Sequence, residues 1–276
     1  MTTILPVSVC IPAKNEERNL PNCLAALGGA FDEVVVVDSG STDLTREIAE
    51  GAGVTVLDFK WDGQFPKKRN WVLRNHTFRH PWVLFLDADE QVTPAFLEEL
   101  ANVLPDSSHE GYWISFTNWF MGHPLHHGDA FRKLALFKVG AGEYEAFPES
   151  WWSHLDMEVH EHPVLKGTSG VIGARLEHHD YRGLKHYIAK HNEYSSWEAS
   201  RYAWLQQAGP EAWQALTSRQ QFKYRHLSRW WLGWVYFVAA YFFKKGFLDG
   251  PSGWVFACVK RRYFSEIRLK ILETKP

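Results

Sequence analysis

Four consecutive valines at positions 34–37 limit the folds open to this chain more than any other feature. A run of β-branched residues without polar alternation is typical of a strand that is buried on both faces. Such strands occur in parallel sheets that helices cover on each side. The sequence therefore predicts an α/β domain built around this strand.

Short apolar runs alternate with helical patterns over roughly the first hundred residues. The predicted strands cover residues 7–11, 34–37, 54–57 and 83–86, and the predicted helices cover 19–27, 41–51, 67–74 and 94–104. The hydroxyl groups of Ser41 and Thr42 are candidates to cap the second helix. This succession predicts a mostly parallel sheet with helices on both faces, in which ligands bind beyond the carboxyl ends of the strands.

The end of the chain differs in charge from the part before it. Residues 217–276 carry twelve Lys or Arg and three Asp or Glu, which gives +9, whereas the net charge of the whole chain is −2. We therefore predict a catalytic domain over residues 1–215 and a basic, aromatic, helical segment over residues 216–276. A basic segment on an acidic body indicates an anionic partner.

The same segment contains the longest apolar run of the chain, residues 230–243, with eight aromatic side chains among fourteen residues. Spanning a bilayer takes about 20 apolar residues, so this run is too short to cross a membrane. Aromatic residues flanked by Lys and Arg favour the surface of an anionic membrane. The alternative is an aromatic helix that packs on the catalytic domain. The acidic body argues against nucleic acid as the partner.

Cysteine content and the first residues bear on the compartment. The chain has three cysteines, Cys10, Cys23 and Cys258, which are too few and odd in number for a disulfide framework. The N-terminal residues lead into a predicted strand and show no signal-peptide pattern. We therefore expect a cytoplasmic protein that is peripheral on the inner face of the cell membrane.

An acidic motif, Asp87-Ala88-Asp89-Glu90, directly follows the fourth predicted strand. Two carboxylates that are two residues apart at the end of a strand can face one ion. Hard divalent cations such as Mg²⁺ prefer oxygen ligands and often share them with a diphosphate. The alternative is a solvated acidic turn before the next helix. The position of the motif at a strand end favours a site for Mg²⁺ or Mn²⁺.

Polar groups also follow the other predicted strands. The Asp38 carboxylate, next to Ser39, can accept from a ribose hydroxyl or a base N–H, and the segment Pro12-Ala13-Lys14-Asn15-Glu16 can flank the same base. Asp58 and the run Lys67-Lys68-Arg69-Asn70 can complete a diphosphate-binding wall. The alternative for that basic run is a solvated helix face.

These motifs, in this order, resemble the family 2 glycosyltransferases with the GT-A (Rossmann-like) fold. The resemblance covers about residues 5–105 and rests on the Pro-Ala-Lys-Asn-Glu start, Asp-Ser-Gly-Ser-Thr-Asp, the Lys-Arg-Asn segment and Asp-x-Asp. It implies binding of a nucleotide-sugar by the following residues: Pro12, Ala13, Asn15, Glu16, Asp38, Ser39, Asp58, Lys67, Arg69, Asp87 and Ala88. It also implies that Asp89 is a metal ligand.

The second half is similar to a narrower branch, the lipopolysaccharide-core (WaaE-like) glucosyltransferases. This similarity rests on the segments Val159-His160-Glu161, Leu176-Glu177-His178-His179-Asp180-Tyr181 and Leu248-Asp249-Gly250-Pro251-Ser252-Gly253, together with Lys190, Asn192 and Tyr194. The branch often has an Arg just before the Leu-Phe pair, where this chain has Ala135, with Arg132 and Lys133 nearby. Which basic residue contacts a phosphate or sugar is left open by this departure.

An inverting transfer needs a base that takes the proton of the acceptor hydroxyl as that oxygen attacks the anomeric carbon. Glu161 is the candidate for this catalytic role, and Glu158 is the reserve; the alternative is that Glu161 pairs with a neighbouring His or Arg. His178 is a candidate for a further metal ligand or for holding the diphosphate. A core histidine bonded to a carbonyl group is the alternative for His178.

Together these observations predict a metal-dependent, inverting glycosyltransferase. It would move a hexose from a nucleotide-sugar, a UDP-sugar or a related donor, to a lipid-linked or envelope glycan acceptor. Two alternatives stay open at this point. A sugar nucleotidyltransferase usually has a Gly-rich loop after the first strand, which this chain lacks, and a membrane-docked glycan-binding protein would bind the donor without turnover.

Overall fold

The computed structural model describes residues 4–128, 131–146, 156 and 162–273. They form two compact units, of which the first lies within residues 1–119 and 130–181 and the second within residues 120–129 and 182–276. The sequence placed a boundary between residues 215 and 216, whereas the units divide between residues 181 and 182. The extent of the catalytic domain itself stays a prediction.

The strands of the described residues come mostly from the first unit. They are β1 (Val7–Ala13), β2 (Val34–Asp38), β3 (Thr55–Asp58), β4 (Trp82–Phe85), β5 (Glu90–Gln91), β6 (Gly111–Phe120), β7 (His123–Leu125), β8 (Arg132–Lys138), β9 (Gly142–Tyr144), β10 (Pro163–Leu165), β11 (Ser169–Val171) and β12 (Leu176–His178). The helices of this unit are α1 (Leu20–Ala26), α2 (Thr45–Gly51), α3 (Lys68–Asn75) and α4 (Pro94–Val103).

The main sheet has the order β3-β2-β1-β4-β8-β6-β12-β5. The first four strands are parallel, as predicted. Strand β8 is antiparallel to both β4 and β6, and β12 is parallel to β6 but antiparallel to β5. The antiparallel part comes mainly from the region after residue 105, where the sequence predicted only short strands and long loops.

Alternate residues of β1 pack on opposite faces of the sheet, and every residue of this strand is buried. Val9 and Ile11 belong to the core that also contains Leu20 of α1 and Phe96 of α4. Cys10 lies on the other face, in the core that contains Val72 of α3. Helices therefore cover both faces of the sheet, as the four-valine strand predicted.

The predicted start of α2 is wrong. The helix begins at Thr45, whose backbone N–H donates to the Asp43 carboxylate at 3.0 Å, so neither predicted hydroxyl caps it. The Ser41 hydroxyl instead accepts from the backbone N–H of Asn15, at 2.9 Å, and Thr42 donates its N–H to the Asn15 side chain, at 2.8 Å. A short hydroxyl side chain can bond any nearby backbone group, and here that group lies in another loop.

The second unit is helical. Its helices are α5 (Gly183–Gln207), α6 (Pro210–Gln214), α7 (Ser218–His226), α8 (Leu232–Val238) and α9 (Gly250–Glu273), with a π-helical turn at Ala239–Phe243 and a 3₁₀ turn at Gly246–Asp249. Its core contains Tyr224, Leu232 and Ile267, which are fully or almost fully buried. The predicted C-terminal helical segment is confirmed. Among the described residues, no helix combines the length and apolar character needed to cross a bilayer.

Candidate active site

The carboxyl ends of three parallel strands place three predicted donor-site residues side by side. In the sheet register Ala13 of β1 lies opposite Asp38 of β2, and Asp38 lies opposite Asp58 of β3. Pro12 is buried one residue earlier in β1, next to Val37. The structure therefore brings the first, second and third strand-end clusters to one edge of the sheet, where ligands bind in open α/β folds.

The loops that follow β1 and β2 are joined by side-chain hydrogen bonds to backbone groups. Asn15, in the left-handed region at φ 55°, donates its N–H to Ser41 and accepts from Thr42. Glu16 donates its backbone N–H to the Thr45 hydroxyl at 2.7 Å. These bonds fix the spacing between the two loops, so the strand-end edge keeps its shape without a ligand.

The Asp38 side chain is only 3% exposed and organises the turn after β2. Its two oxygens accept from the backbone N–H of Ser41, each at 3.2 Å, and one oxygen accepts from the Ser41 hydroxyl at 2.5 Å. Gly40 adopts φ 75° within this turn, a conformation that side chains disfavour. A carboxylate has about four acceptor sites, so Asp38 can hold the turn and still accept from a ribose or base.

Asp58 lies opposite Asp38 in the neighbouring strand, and Ser39 follows Asp38 in the chain. The environments of these two side chains differ. Asp58 is well exposed at the edge strand, where it pairs with Arg46 of α2. Ser39 donates its backbone N–H to the Ala13 carbonyl at 3.2 Å, and its hydroxyl donates to the same carbonyl at 3.3 Å. Both predicted donor residues therefore lie at the edge, but Asp58 is the more solvated of the two.

The basic run at residues 67–70 is buried, so the alternative of a solvated helix face is wrong. Lys67, Lys68, Arg69 and Asn70 are each at most 6% exposed. The Lys68 ammonium donates to the Ala13 carbonyl at 3.0 Å and lies 3.5 Å from a carboxylate oxygen of Asp156. Burial lowers the pKa of Lys68, although Asp156 acts in the opposite direction.

Asp156 was not among the residues predicted from the sequence. Its carboxylate is largely buried between Lys68 and Lys14, the latter at 3.9 Å. Burial acts to raise the pKa of Asp156, but the nearby Lys68 charge and a hydrogen bond from Ser39 lower it overall. The contact joins residues 88 positions apart in the chain, which no local spacing or periodicity could indicate.

Asp87 is held between two cations. Arg69 donates to one carboxylate oxygen at 2.5 Å, and the Lys133 ammonium lies 3.1 Å from the other. Of the two basic residues near Ala135, Lys133 therefore lies at the acidic motif, while Arg132 is exposed at the start of β8. Ala88, the next residue, is buried. The structure thus places Arg69 and Lys133 together at the acidic motif.

Glu90 is the most deeply buried member of the acidic motif, at 1% exposed. One of its carboxylate oxygens accepts from the Lys133 ammonium at 2.6 Å and from the backbone N–H of Asp87 at 2.9 Å. Burial raises the pKa of Glu90 to about 7, even though the Lys133 charge acts to lower it. Glu90 therefore takes up a proton on folding between pH values near 4.5 and 7, so it makes folding less favourable as the pH rises through that range.

We expect Lys133→Met to destabilise the protein by about 3 kcal/mol near pH 8, because it leaves a buried carboxylate without its cation. The variant raises the pKa of Glu90 further, so the loss should be smaller near pH 5, where Glu90 is protonated in both proteins. Urea unfolding at the two pH values, in EDTA, measures the difference. Lys138→Met, at a half-buried ion pair with Glu110, is the control. An equal loss at both pH values would contradict this account.

The Asp89 carboxylate contacts a different side chain from those that the Asp87 carboxylate contacts. Its carboxylate is almost fully buried, and one oxygen lies 3.3 Å from Nε2 of His178. The other ring nitrogen of His178 lies 2.9 Å from the side-chain oxygen of Asn118. A proton on Nδ1 would satisfy Asn118 and leave the Nε2 lone pair directed to Asp89, as metal-binding histidines require. The structure thus brings both predicted metal ligands together.

The Asp89–His178 pair fits a divalent ion that takes its remaining ligands from elsewhere. Within the described ranges, no group of three or more His, Cys, Asp or Glu side chains is arranged to hold a metal. Mg²⁺ is commonly bound by one or two protein side chains, with phosphate oxygens and water completing its coordination. Glu161 and Glu158, the predicted bases, lie outside the described residues.

Known proteins are similar to the part of the chain that contains this site. Residues 8–134 match the family model described as glycosyl transferase family 2. The predicted resemblance to this family is confirmed over these residues. The match contains β1 to β6 and the start of β8, and therefore Ala13, Asp38 and the acidic motif. The GT-A fold class predicted from the sequence is confirmed, and the chain is a glycosyltransferase.

Two relatives extend over most of this glycosyltransferase. An uncharacterized glycosyltransferase of Rickettsia felis is 24% identical over 280 residues, which cover 98% of this chain and 92% of the relative. The lipopolysaccharide core biosynthesis glycosyltransferase LpsC of Rhizobium meliloti is 29% identical over 206 residues, 71% of this chain and 72% of that protein. The predicted similarity to lipopolysaccharide-core enzymes is confirmed.

Other similarities are partial. A TPR repeat-containing protein of Synechococcus elongatus is 38% identical over 98 residues, and the match spans 36% of this chain but only 24% of that protein. A crystal structure of glucosyl-3-phosphoglycerate synthase from Mycobacterium tuberculosis, in complex with Mn²⁺, UDP and glucosyl-3-phosphoglycerate, is 26% identical at a TM-score of 0.32. That similarity covers 43% of this chain and 45% of the synthase.

Proposed function

We propose that this glycosyltransferase is metal-dependent and inverting, and that it moves a hexose from a nucleotide-sugar, first among them a UDP-sugar, to a lipid-linked or envelope glycan. One observation carries the proposal. At the carboxyl ends of β1 to β4, Ala13, Asp38 and Asp58 form a row on the same sheet edge as an acidic motif with two cations. The row suits a nucleoside and the motif suits a diphosphate.

In the proposed transfer, each site residue has a separate role. Asp38 accepts from the nucleoside, and Arg69 and Lys133 place positive charge where the diphosphate leaves. Asp89 and His178 would hold a divalent ion, which when bound neutralises charge on the departing nucleoside diphosphate. Glu161 would take the proton of the acceptor hydroxyl as that oxygen bonds to the anomeric carbon. Attack from the side opposite the diphosphate inverts the configuration.

Calorimetric titration with UDP, GDP, ADP and dTDP, each with and without Mn²⁺, tests the donor site. We expect one nucleotide to bind in a Mn²⁺-dependent manner and to lose that dependence in Asp89→Ala. Turnover of the matching nucleotide-sugar separates an enzyme from a glycan-binding protein that retains its site without catalysis. No binding of any nucleotide by well-folded protein would overturn the proposed donor site.

Part of the second unit carries the proposed membrane contact. Several of its large apolar side chains are exposed along α8 and the turns that follow: Trp230, Trp234, Val235, Val238, Phe242, Phe243, Phe247 and Leu248. We call these the aromatic surface. Phe243 is 82% exposed, directly before Lys244 and Lys245, and the Arg261 guanidinium lies 4.2 Å from the ring centre of Trp234. Aromatic rings beside cations suit the headgroup region of an anionic bilayer.

We expect the double variant Lys244→Glu and Lys245→Glu to bind phosphatidylglycerol-containing vesicles at least about tenfold more weakly, since each basic residue near an anionic surface contributes about 1 kcal/mol. Sedimentation with vesicles measures this loss, and phosphatidylcholine vesicles give the uncharged reference. The double variant Lys60→Glu and Lys166→Glu, at exposed positions of the first unit, makes the same change in net charge. Equal sedimentation of the two variants would refute the assignment.

A further inference from the structure

Three aromatic rings form a stack beside the acidic motif. The ring centres of Trp119 and His179 are 4.9 Å apart with planes 11° from parallel, and those of His179 and Tyr181 are 4.0 Å apart at 29°. His179 is thus the middle ring, and Trp119 and Tyr181 are the outer ones. We call these three residues the aromatic stack.

The outer ring of Tyr181 has an open face. One face lies against His179, yet the residue remains 40% exposed. The face opposite His179 is the one that a ligand can reach in this arrangement. The Tyr181 hydroxyl accepts from the Gln91 side chain at 3.2 Å, and its backbone N–H donates to the Asn19 side chain at 2.8 Å. One bond therefore positions the ring and the other positions the backbone of Tyr181.

The aromatic stack is tied to the proposed metal ligands. His179 donates its backbone N–H to the Asp89 carbonyl at 2.8 Å, and its neighbour His178 lies beside the Asp89 carboxylate. In the strand order of the sheet, β12 and β5 lie on one side of β4. The strands β1, β2 and β3, which carry Ala13, Asp38 and Asp58, lie on the other side. The acidic motif runs from the end of β4 to Glu90 in β5, so it connects the strand beside the proposed nucleoside row with the strand beside β12.

Polar side chains surround the rings. The Trp119 indole N–H donates to Glu177, and Gln91 and Asp180 are partly exposed beside Tyr181. Aromatic faces with a few convergent carboxylate and amide groups are typical of ligand sites that fix the orientation of their ligand. A pyranose matches this chemistry, because its C–H face can lie on a ring while its hydroxyl groups bond to carboxylates and amides.

We propose that the aromatic stack binds a pyranose ring of the acceptor glycan, and that the open face of Tyr181 is its principal contact. The assignment rests on the proposed transferase function. The acceptor hydroxyl must approach the anomeric carbon from the side opposite the diphosphate, and in the strand order the aromatic stack lies on the other side of β4 from the nucleoside row. A donor base would instead lie at Asp38.

Saturation-transfer NMR with methyl glucoside, methyl galactoside and methyl mannoside at millimolar concentrations tests this subsite. We expect at least one pyranoside to bind the wild-type protein, and to bind Tyr181→Ala about tenfold more weakly, since this variant removes the ring that the sugar contacts. Trp119→Ala removes the far ring of the aromatic stack and should weaken binding less. Tyr181→Phe keeps the ring and should retain binding. Trp113→Ala, at a partly buried tryptophan of the same strand as Trp119, is the matched control for Trp119→Ala.

Nucleotide calorimetry on the same variants separates the two proposals. Unchanged nucleotide affinity together with weakened pyranoside binding supports an acceptor subsite. Weakened nucleotide affinity in Tyr181→Ala would overturn it, because the ring would then serve the donor. It is also overturned if no pyranoside binds, or if all variants bind as the wild type does. If pyranoside binding depends on Tyr181 but no nucleotide binds, the proposed transfer fails while the glycan subsite stands.

Discussion

Replacing Asp89 by Asn should lower transfer of the sugar by about 10³-fold, because the amide keeps the shape of the side chain but loses the charge that would bind a divalent ion. The burial of Asp89 and its 3.3 Å contact with His178 leave little room for another ligand to take its place. The measurement is transfer from the nucleotide-sugar that calorimetry identifies, over a series of Mn²⁺ concentrations.

Asp106→Asn provides the matched control, since Asp106 is an exposed carboxylate of the same unit after α4. We expect that variant to transfer as the wild type does. Thermal unfolding of both variants in EDTA shows whether folding is intact. Suppose that Asp89→Asn is folded, is saturated with donor and transfers the sugar at the wild-type rate. Asp89 would then have no part in catalysis, and the proposed metal site would be refuted.

The Glu161→Gln variant should bind the nucleotide with unchanged affinity and transfer the sugar about 10²–10⁴-fold more slowly, the range over which removal of a general base acts. Gln is close to Glu in size but cannot take a proton from the acceptor hydroxyl. The rate should be compared with the nucleotide affinity of the same preparation, because a misfolded protein loses both. A general base takes part in turnover but not in nucleotide binding. Intact binding together with lost turnover would therefore support this role for Glu161.

Glu158→Gln distinguishes the two candidates, which are three residues apart. If Glu161 is the base, Glu158→Gln should retain most of the transfer rate. The reverse pattern would assign the role to Glu158, and full activity in both variants would remove this segment from proton transfer. An inverted product, identified by NMR of the glycosidic linkage, belongs to the same test.

The sequence predicted the first half of the catalytic unit because its signals are local. Four valines in succession predict a buried parallel strand, and Asp38 and Asp87 directly follow strands, so their position at one edge follows from the sheet alone. The burial of Lys68 could not be predicted in this way. Its partner Asp156 is 88 residues later in the chain, and a run of basic residues looks the same whether it is solvated or enclosed.

The structure of the region after residue 105 was harder to predict, because it also depends on contacts between residues far apart in the chain. Strand β12 has only three residues, and its place between β6 and β5 depends on long-range pairing. That pairing is what brings His178 to Asp89, so the sequence could name both residues without showing their contact. Lys133 was noticed only because Ala135 departs from the family pattern. Its contact with Asp87 and Glu90 required the antiparallel register of β8 with β4.

The interlocked loops after β1 and β2 affect the thermodynamics of donor binding. Asn15 already bonds to Ser41 and Thr42, and Glu16 to Thr45, so the nucleoside meets a preorganised surface rather than loops that must first lose conformational freedom. Ordering of flexible segments weakens binding and enlarges its heat-capacity change. The nucleoside half of the donor should therefore associate with a heat-capacity change set by the surface it covers, and with little of the entropic opposition that accompanies folding on binding.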